Sequence, residues 1–322
     1  MQHTERGEIM PLVLTLVALI IIIFVFIIPS HKVGPFQNFV TPAQTNYSNS
    51  NSNTYSNTNS YTNSGPGPAR TSTHSGKVSI TSGNASYAYQ PYEEYITIQN
   101  NSQTPVDITG WKLTNARNTR VYRVGNTEMT FPSEAVIIPQ AAKVLLPNGG
   151  ALSDVVLEPN ERAIIVTGAI QNTYPYKVTS FKENECTGYL GSLSNYTFSP
   201  YMNNSCISPS NEPGLQNLDR QCQDFVTSMS SCHTPEYNSV DSTGQVCNNC
   251  VDRNPGLSSS CVAYIQSHFS YPSCLAMHQN DANFLGDEWR IYLGQPWELW
   301  AKDHETISLY DISGNLVDYQ SY

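Results

Sequence analysis

The sequence predicts a mainly β protein in which a β-sandwich is interrupted by a small cysteine-rich α-helical insertion and preceded by an N-terminal transmembrane helix. Three observations predict this organisation. An uncharged apolar run occupies residues 10–28, short segments of alternating apolar and polar residues follow residue 76, and all eight cysteines lie between residues 186 and 274. Only 13% of the 322 residues are charged, about half the usual proportion in soluble proteins.

The apolar run predicts a transmembrane helix over residues 10–29, after a short N-terminal tail of residues 1–9. As a helix, residues 10–28 would be about 28 Å long, close to the roughly 30 Å of a bilayer core. Pro11 falls in the first turn and Pro29 closes the far end. A cleaved signal peptide is the alternative, but the run is long and no small-x-small cleavage site follows it. A prepilin-type processing site at residues 6–8 is a further alternative, which would make the chain a pilin-like subunit.

The orientation of this helix has to be inferred from the rest of the chain, because few charges flank it and the positive-inside rule decides little. The tail of residues 1–9 is too short to hold a function, and the eight cysteines suit an oxidising compartment. We therefore predict a single-pass membrane protein with a cytoplasmic N-terminus and an extracytoplasmic C-terminal domain.

Residues 30–76 are predicted to form a disordered linker. Residues 45–64 consist only of Asn, Ser, Thr and Tyr, and Gly65-Pro66-Gly67-Pro68 follows them. Such a composition buries too little apolar surface to repay the entropy of ordering the chain. The linker would lift a domain clear of the lipid headgroups. A self-associating, adhesive tract is the alternative interpretation.

The acidic balance of the chain argues against nucleic-acid binding. Residues 77–322 contain 24 acidic and 13 basic side chains, a net charge of −11, whereas the preceding residues are nearly neutral. A protein that grips a phosphate backbone needs a basic surface. We therefore expect no nucleic-acid partner.

Period-2 alternation and turn residues predict a sandwich of short strands over residues 77–180 and 286–322. In Tyr95–Asn100, Ile96 and Ile98 alternate with more polar residues, a pattern typical of a half-buried strand. The other candidate strands are Val106–Ile108, Trp111–Leu113, Val121–Val124, Ala135–Ile138, Lys143–Leu146, Arg162–Thr167 and Trp289–Leu293.

Four of these segments resemble motifs of the lamin tail domain family. Glu93–Asn100 is similar to its E-Y-[VI]-x-[IL]-x-N strand, and Val106–Leu113 to its D-[LI]-[ST]-G-W-x-L strand. Leu157–Gly168 looks like the L-x-P-G-E strand with Asn160 in place of the glycine, and Trp300–Asp318 looks like the closing strands. The resemblance implies an immunoglobulin-like, lamin-tail-like β-sandwich. The whole arrangement resembles membrane-anchored bacterial lamin-tail proteins with a cysteine-bearing insertion, which implies no known activity.

The motif residues have structural interpretations. Trp111, directly after a turn, is typical of a core side chain. Ile307, Leu309 and Ile312 are predicted to face inward, and residues 311–315 to form a tight hairpin turn with a glycine at positive φ. We therefore assign no catalytic residue among them.

Residues 181–285 are predicted to form a cysteine-rich helical insertion stapled by local disulfides. Its eight cysteines are Cys186, Cys206, Cys222, Cys232, Cys247, Cys250, Cys261 and Cys274. Their pairing stays open, since eight cysteines allow 105 connectivities. Apolar residues at helical spacing predict an amphipathic helix over residues 215–229. Residues 258–260 predict the cap of a second helix, whose buried face includes Cys261, Ile265 and His268.

A zinc site is the alternative to disulfides for part of this block. Cys247 and Cys250 have CxxC spacing, and Cys232-His233, His268 and His278 could complete the ligand set. No second CxxC and no thioredoxin-like βαβ pattern accompany this one, which weakens both the zinc and the redox interpretations. We therefore favour disulfides and predict no metal or other cofactor.

Acidic residues provide two weaker candidates for chemistry. Asp281, Asp287 and Glu288 near His278 could bind a divalent cation, but their spacing fits no EF-hand. Asp303-His304-Glu305 is the nearest acid–base cluster. Because neighbouring side chains of a strand point to opposite faces, we interpret it as a solvated rim. No nucleophile elbow, Walker loop or HExxH motif occurs in the sequence, so we predict no catalytic residues and no enzyme activity.

The predicted function is a membrane-tethered, extracytoplasmic binding or scaffold protein that presents a lamin-tail-like domain to a protein, glycan or envelope partner. The alternatives are an accessory module or cryptic metal-dependent hydrolase or nuclease, and the pilin-like subunit. The lack of a recognisable catalytic constellation in the sequence favours binding. The membrane, reached through the N-terminal helix, is the partner that the sequence itself indicates.

Overall fold

The computed structural model describes residues 70–322 except residues 120, 125, 131–133 and 204. The predicted tail, the transmembrane helix and the linker up to residue 69 lie outside the described residues. Within the described part of the chain, no helix is long and apolar enough to span a membrane. This part belongs to one compact unit, Ser64–Tyr322.

Short strands dominate the described residues, and the helices lie between the twelfth and fifteenth strands. The strands are β1 (Val78–Thr81), β2 (Tyr95–Asn100), β3 (Val106–Asp107), β4 (Lys112–Thr114), β5 (Val121–Val124), β6 (Thr127–Thr130), β7 (Ala135–Ile137), β8 (Ala141–Ala142), β9 (Leu152–Ser153), β10 (Val156–Leu157), β11 (Arg162–Val166), β12 (Phe181–Asn184), β13 (Tyr237–Val240), β14 (Val246–Val251), β15 (Leu285–Tyr292), β16 (Thr306–Tyr310) and β17 (Leu316–Ser321). The α-helices are α1 (Gly188–Gly191), α2 (Arg220–Ser228), α3 (Ser259–His268) and α4 (Tyr271–His278). The protein is therefore mainly β, as the sequence predicts.

Two larger sheets share one apolar core. The first has seven strands in the order β1-β2-β11-β15-β12-β8-β9, and the second has four in the order β17-β16-β4-β7. Most neighbours in the first sheet are antiparallel, but β11–β15 and β12–β8 are parallel. Ile96 and Ile98 of β2 and Ile307 and Leu309 of β16 lie in the same buried cluster. The arrangement is consistent with a β-sandwich, because side chains of both sheets meet in this cluster.

The alternation in the sequence decides which side chains enter this core. Ile96 and Ile98 are fully buried. Trp111 is also buried, as predicted for a core side chain that directly follows a turn, and the preceding Gly110 has a φ of +78°. The inward assignment of Ile312 is wrong, because this side chain is 78% exposed. Ile312 lies in the turn between β16 and β17, beyond the paired residues, so strand alternation does not determine its direction.

The strand predicted at Lys143–Leu146 is also absent. The strand pairing occurs before Lys143, where Ala141–Ala142 of β8 pairs with β9, and the chain then leaves the sheet. Leu145 is buried, but its carbonyl accepts a hydrogen bond from the Tyr271 hydroxyl in place of a strand partner. The other predicted strands are present with small shifts at their bounds, and β15 begins earlier than predicted, at Leu285.

Residues 70–76, assigned to the linker from the sequence, contact the C-terminal strand. The Ser72 N–H donates to the Leu316 carbonyl at 2.8 Å, and the Leu316 N–H donates to the Arg70 carbonyl at 2.9 Å. Through these backbone hydrogen bonds, Thr71 forms an isolated parallel β-bridge with Leu316 of β17. The chain is therefore tied to the sheet several residues before Lys77.

The helix predicted over residues 215–229 is shorter than expected. A 3₁₀ turn covers Leu215–Asn217, and α2 begins only after Asp219. The Asp219 carboxylate accepts a hydrogen bond from the Cys222 N–H at 2.9 Å. This N-cap fixes the start of the helix and separates it from the preceding turn.

The second predicted helix is confirmed as α3. Ser258 is its N-cap and accepts a hydrogen bond from the Cys261 N–H, and Cys261, Ile265 and His268 are its buried residues. The insertion also packs on the large sheet, since Phe181 of β12 and Tyr271 of α4 share one apolar cluster. The sandwich and the insertion are therefore joined by a common core as well as by the chain.

Glu305 overturns the interpretation of residues 303–305 as a solvated rim. It is 1% exposed, and its carboxylate accepts hydrogen bonds from the Ala116 and Ala301 N–H groups, both at 2.8 Å. β16 begins only at Thr306, and His304 has a φ of +55°. Residues 303–305 therefore do not alternate as a strand, and the carboxylate turns inward to satisfy backbone donors.

Glu94 is a second buried motif carboxylate. It accepts hydrogen bonds from the Leu299 N–H at 2.8 Å and the Trp300 N–H at 3.3 Å. Glu94 thus ties the start of β2 to the segment before the closing strands. Burial raises the pKa of Glu94 to about 7, because an ionised carboxylate is poorly solvated there.

Asn160 occupies the position where the family motif has glycine, and its backbone explains the exchange. The Glu161 N–H donates to the Glu158 carbonyl at 3.0 Å, which closes a four-residue turn with Pro159 and Asn160 in the middle. Asn160 has a φ of +68°. A type II turn requires positive φ at this third position, which glycine and asparagine tolerate best.

We expect Glu94→Gln to remove a pH dependence of stability. The folded-state pKa of about 7 exceeds the usual 4.5, so the folded protein binds more protons than the unfolded chain between these values. The free energy of unfolding should then fall as pH rises from about 4.5 to about 7, by at most about 3 kcal/mol. Urea unfolding of residues 64–322 at several pH values, with disulfides intact, measures this. If the free energy of unfolding of the variant changed with pH as in the wild type, the raised pKa of Glu94 would be contradicted.

A second prediction concerns the turn at Asn160. Asn160→Ala should lower the free energy of unfolding by about 1 kcal/mol, because alanine is strained at positive φ. Asn160→Gly should leave the stability within about 0.5 kcal/mol of the wild type, since glycine adopts this conformation freely. Urea unfolding at one pH compares the two variants. Equal stability of both would argue against the type II turn.

Candidate functional site: a tyrosine-lined groove

A groove lined by tyrosines and polar side chains follows the loop Thr197–Tyr201, where the insertion meets the large sheet. It consists of three adjacent depressions of about 360, 240 and 270 Å³, and Thr197 lines all three. We call this surface the tyrosine groove. Its defining residues are Tyr87, Tyr92, Asn195, Thr197, Phe198 and Tyr201.

The loop that forms the groove is held from below by Arg290 of β15. The Arg290 guanidinium is 1% exposed and donates to the Pro200 carbonyl at 2.7 Å and to the Tyr201 carbonyl at 3.3 Å. Its carbon Cζ lies 5.9 Å from the centre of the Phe198 ring. A strand of the sheet therefore fixes the backbone that presents the groove.

Two carboxylates neutralise this buried guanidinium. Arg290 forms ion pairs with Glu183 of β12 and with Glu288, two residues away on the same strand. Glu288 also binds Arg162 of β11 at 2.6 Å, and this hydrogen bond raises the pKa of Arg162. Burial raises the pKa of Glu183, while the adjacent Arg290 opposes that shift. Three neighbouring strands thus contribute charges to one network beneath the loop.

Further hydrogen bonds fix the groove on its other sides. The Ser199 hydroxyl donates to the Glu93 carbonyl at 2.6 Å, which ties the loop to a residue two positions before β2. The Tyr196 hydroxyl donates to the Tyr176 carbonyl at 2.7 Å and accepts from the Tyr176 N–H at 2.6 Å. The loop and the residue before it are therefore anchored to two separate segments outside the insertion.

The groove presents aromatic rings to solvent. Tyr201 is 90% exposed and Tyr87 is 62% exposed. Tyr89, two residues after Tyr87, lines none of the three depressions, and the Lys302 ammonium lies 3.3 Å from its ring centre. Exposed aromatic side chains beside polar groups are typical of binding surfaces.

Residues 71–205 match the family model of the lamin tail domain. This segment of the chain is a lamin tail domain. The match includes every residue that defines the tyrosine groove, whereas Arg290 and strands β15–β17 follow it in the sequence. These later strands belong to the same two sheets as strands of the matched segment. No curated protein matches the chain.

The cysteines predicted to staple the insertion are joined in four disulfides. The pairs are Cys186–Cys274, Cys206–Cys232, Cys222–Cys261 and Cys247–Cys250. The CxxC motif therefore closes on itself, and Cys232 is bonded to Cys206. These thiols are not available to a zinc ion in this structure.

The three histidines considered as zinc ligands have separate partners. His233 Nε2 lies 2.8 Å from Asp252 Oδ2. His268 is stacked on Tyr264, with ring centres 4.0 Å apart. Burial lowers the pKa of His278, but its hydrogen bonds to Asp281 at 2.8 Å and Glu212 at 3.2 Å outweigh this effect and raise it. The structure therefore does not gather these histidines around the CxxC motif.

The acidic residues proposed for a divalent cation are also divided. Asp281 binds His278, whereas Glu288 belongs to the Arg290 network and Asp287 lines a different small depression. Across the described parts of residues 70–322, no group of three or more His, Cys, Asp or Glu side chains is arranged to hold a metal ion.

A larger and more open cleft of about 430 Å³ lies in the insertion beside His233 and Asp252. Their hydrogen bond resembles half of a catalytic triad. However, the nearby Ser228 hydroxyl donates to the Phe225 carbonyl at 2.6 Å, and the Asp252 carboxylate also accepts from the Glu236 N–H at 2.8 Å. Among the described residues, these contacts tie the turn together and supply no nucleophile for the histidine.

The tyrosine groove is not apparent from the sequence alone. Its residues come from two segments, Tyr87–Tyr92 and Asn195–Tyr201, which are far apart in the chain. A repeated tyrosine pattern in the first segment and an aromatic-rich loop in the second were visible signals. Their meeting depends on the position of β15, which local patterns do not determine.

Removing the charge of Arg290 should destabilise the fold and loosen the loop. We expect Arg290→Gln to cost about 3–5 kcal/mol of unfolding free energy. Glu183 would be left buried without its cation, and Glu288 would keep only the half-exposed Arg162. Urea unfolding measures this loss, and amide hydrogen exchange should become faster at Ser199 and Tyr201, which flank Pro200.

The matched control is Arg162→Gln, which removes another partner of Glu288. The Arg162 side chain is 57% exposed, so this change should cost less than about 1 kcal/mol and leave exchange in the loop unaltered. A similar loss for both variants would show that Arg290 has no special role beneath the groove.

Proposed function

We propose that this protein is a membrane-tethered, extracytoplasmic binding protein whose lamin tail domain uses the tyrosine groove to bind a component of the cell envelope. The observation that carries the proposal is the groove itself. Exposed tyrosine rings and three depressions lie along one loop, and a buried ion network holds that loop in place.

The rigidity of the loop supports a binding role. A site whose backbone is already ordered loses less conformational entropy when a ligand binds. The Thr197–Tyr201 loop is bound by Arg290 on one side and by Glu93 through Ser199 on another. We therefore expect recognition without a large rearrangement of the groove.

The architecture of the chain supports the proposed location. Residues 10–29 predict an anchor and residues 30–76 a spacer, which would hold the domain away from the bilayer. Four disulfides within the insertion suit an oxidising compartment outside the cytoplasm. We propose presentation of a partner, which is a scaffold function, without catalysis.

Cosedimentation with isolated cell envelopes tests this function. The sample is residues 64–322, since the described apolar clusters and all four disulfides lie in this compact unit and we expect it to fold alone. The envelopes come from cells that express the chain naturally. We expect the wild-type domain to cosediment, and Tyr87→Ala and Tyr201→Ala to weaken binding by at least about tenfold, as removal of an aromatic anchor does.

Tyr319→Ala is the matched control. Tyr319 is 60% exposed, close to the 62% of Tyr87, but it lies on β17 and lines none of the three depressions. This variant should bind like the wild type. A wild-type domain that stays in the supernatant, or an equal loss in the control, would contradict the proposal.

A further inference from the structure

We infer that the tyrosine groove binds a neutral glycan, in which successive sugar rings lie along the loop Thr197–Tyr201. This inference rests on the proposed function and names the chemical class of its ligand. It is carried by three properties of the groove: exposed aromatic faces, uncharged hydrogen-bonding side chains, and a series of small depressions.

The aromatic faces suit the C–H-rich face of a sugar ring. The π-face of tyrosine is negative and attracts the slightly positive hydrogens of a C–H bond. Tyr87 and Tyr201 both line one of the depressions, that of about 240 Å³, and are largely exposed, at 62% and 90%. Because Tyr201 also lines the neighbouring depression, one ring borders two adjacent sites.

The polar side chains beside these rings are mostly amides and hydroxyls. Gln171, Asn172, Asn195 and Thr197 line the depression next to Tyr92. Amides donate and accept hydrogen bonds, which matches the dual character of sugar hydroxyl groups. All four of these side chains are exposed, so they are open to a ligand.

The charge of the groove favours an uncharged ligand. Glu93 is the only Asp, Glu, Lys, Arg or His among the described residues that line the three depressions. The Arg290 guanidinium beneath them is fully buried and already paired with two carboxylates. Residues 77–322 have a net charge of −11. Phosphorylated or acidic polymers would therefore meet repulsion without a compensating exposed cation.

The dimensions of the groove favour a polymer over a single small molecule. Two of the depressions, at about 240 and 270 Å³, are smaller than the roughly 300–1,000 Å³ of ordinary small-molecule pockets. The third is about 360 Å³, and all three adjoin at Thr197. Adjacent small sites of this kind match repeating units that are linked into a chain.

Chemical treatment of the envelopes distinguishes a glycan from a protein partner. Envelopes are oxidised with periodate, which cleaves vicinal diols of sugars, and then reduced with borohydride so that no aldehydes remain. A parallel sample is digested with proteinase K. Cosedimentation of residues 64–322 is then measured on treated and untreated envelopes, with Tyr201→Ala and Tyr319→Ala as the groove variant and its control.

We expect periodate treatment to reduce the binding of the wild-type domain at least about tenfold, to the level of Tyr201→Ala on untreated envelopes. Binding should change less than about twofold between 50 and 500 mM NaCl, because a neutral ligand is insensitive to screening. Binding that survives periodate would overturn the glycan inference. If it were then lost after proteinase K, the partner would be a protein and the proposed function would stand.

The remaining outcomes are also decisive. Periodate-sensitive binding that falls more than about tenfold at high salt would mean a charged glycan and would overturn neutrality. A wild-type domain that does not bind untreated envelopes would contradict the proposed function itself. Failure of the ligand assignment and failure of the binding role therefore give different results.

Discussion

The buried guanidinium of Arg290 is the interaction on which the groove depends. A charge removed from water costs several kcal/mol unless counter-ions and hydrogen bonds replace its hydration. Glu183 and Glu288 supply the opposite charge, and the donors that remain are directed at the carbonyls of Pro200 and Tyr201. The solvation requirement of one strand residue therefore determines the backbone of a loop that belongs to the insertion. Buried ion pairs contribute little net stability in many proteins, but this one specifies a conformation.

Much of the fold could be predicted from the sequence where local patterns decide it. The alternation in β2, the burial of Trp111 and the Ser258 cap each depend on a few neighbouring residues, and the structure agrees with them. The solvated-rim interpretation of Glu305 is wrong because its orientation depends on the N–H group of Ala116, which belongs to a distant part of the chain. Disulfide pairing and the tyrosine groove could not be predicted for the same reason. Both arise only after remote segments have been brought together by the sheets.

The residues that reveal the lamin tail domain are different from those that form its groove. Glu94 ties a strand to the backbone of the closing segment, and Asn160 keeps the positive φ that the turn requires. Such residues are determined by the fold, so they point to the architecture and not to a ligand. Tyr87 and Tyr201 lie outside the recognisable motifs. A family resemblance can therefore establish the architecture without indicating what the protein binds.

The Cys186–Cys274 disulfide has an evolutionary consequence. The insertion leaves the large sheet after β12 and returns to it at β15, which are antiparallel neighbours with Asn184 opposite Leu285. Close to this junction, the disulfide joins the start of the insertion to α4 near its end, with Cα atoms 5.7 Å apart and a sequence separation of 88. The insertion is thus a cassette with a narrow, covalently closed neck. Sequence inside the cassette can change while the neck and the sheets stay the same. Because Asn195–Tyr201 belongs to the cassette, a lineage could acquire a different groove by exchanging this part of the chain on a constant scaffold.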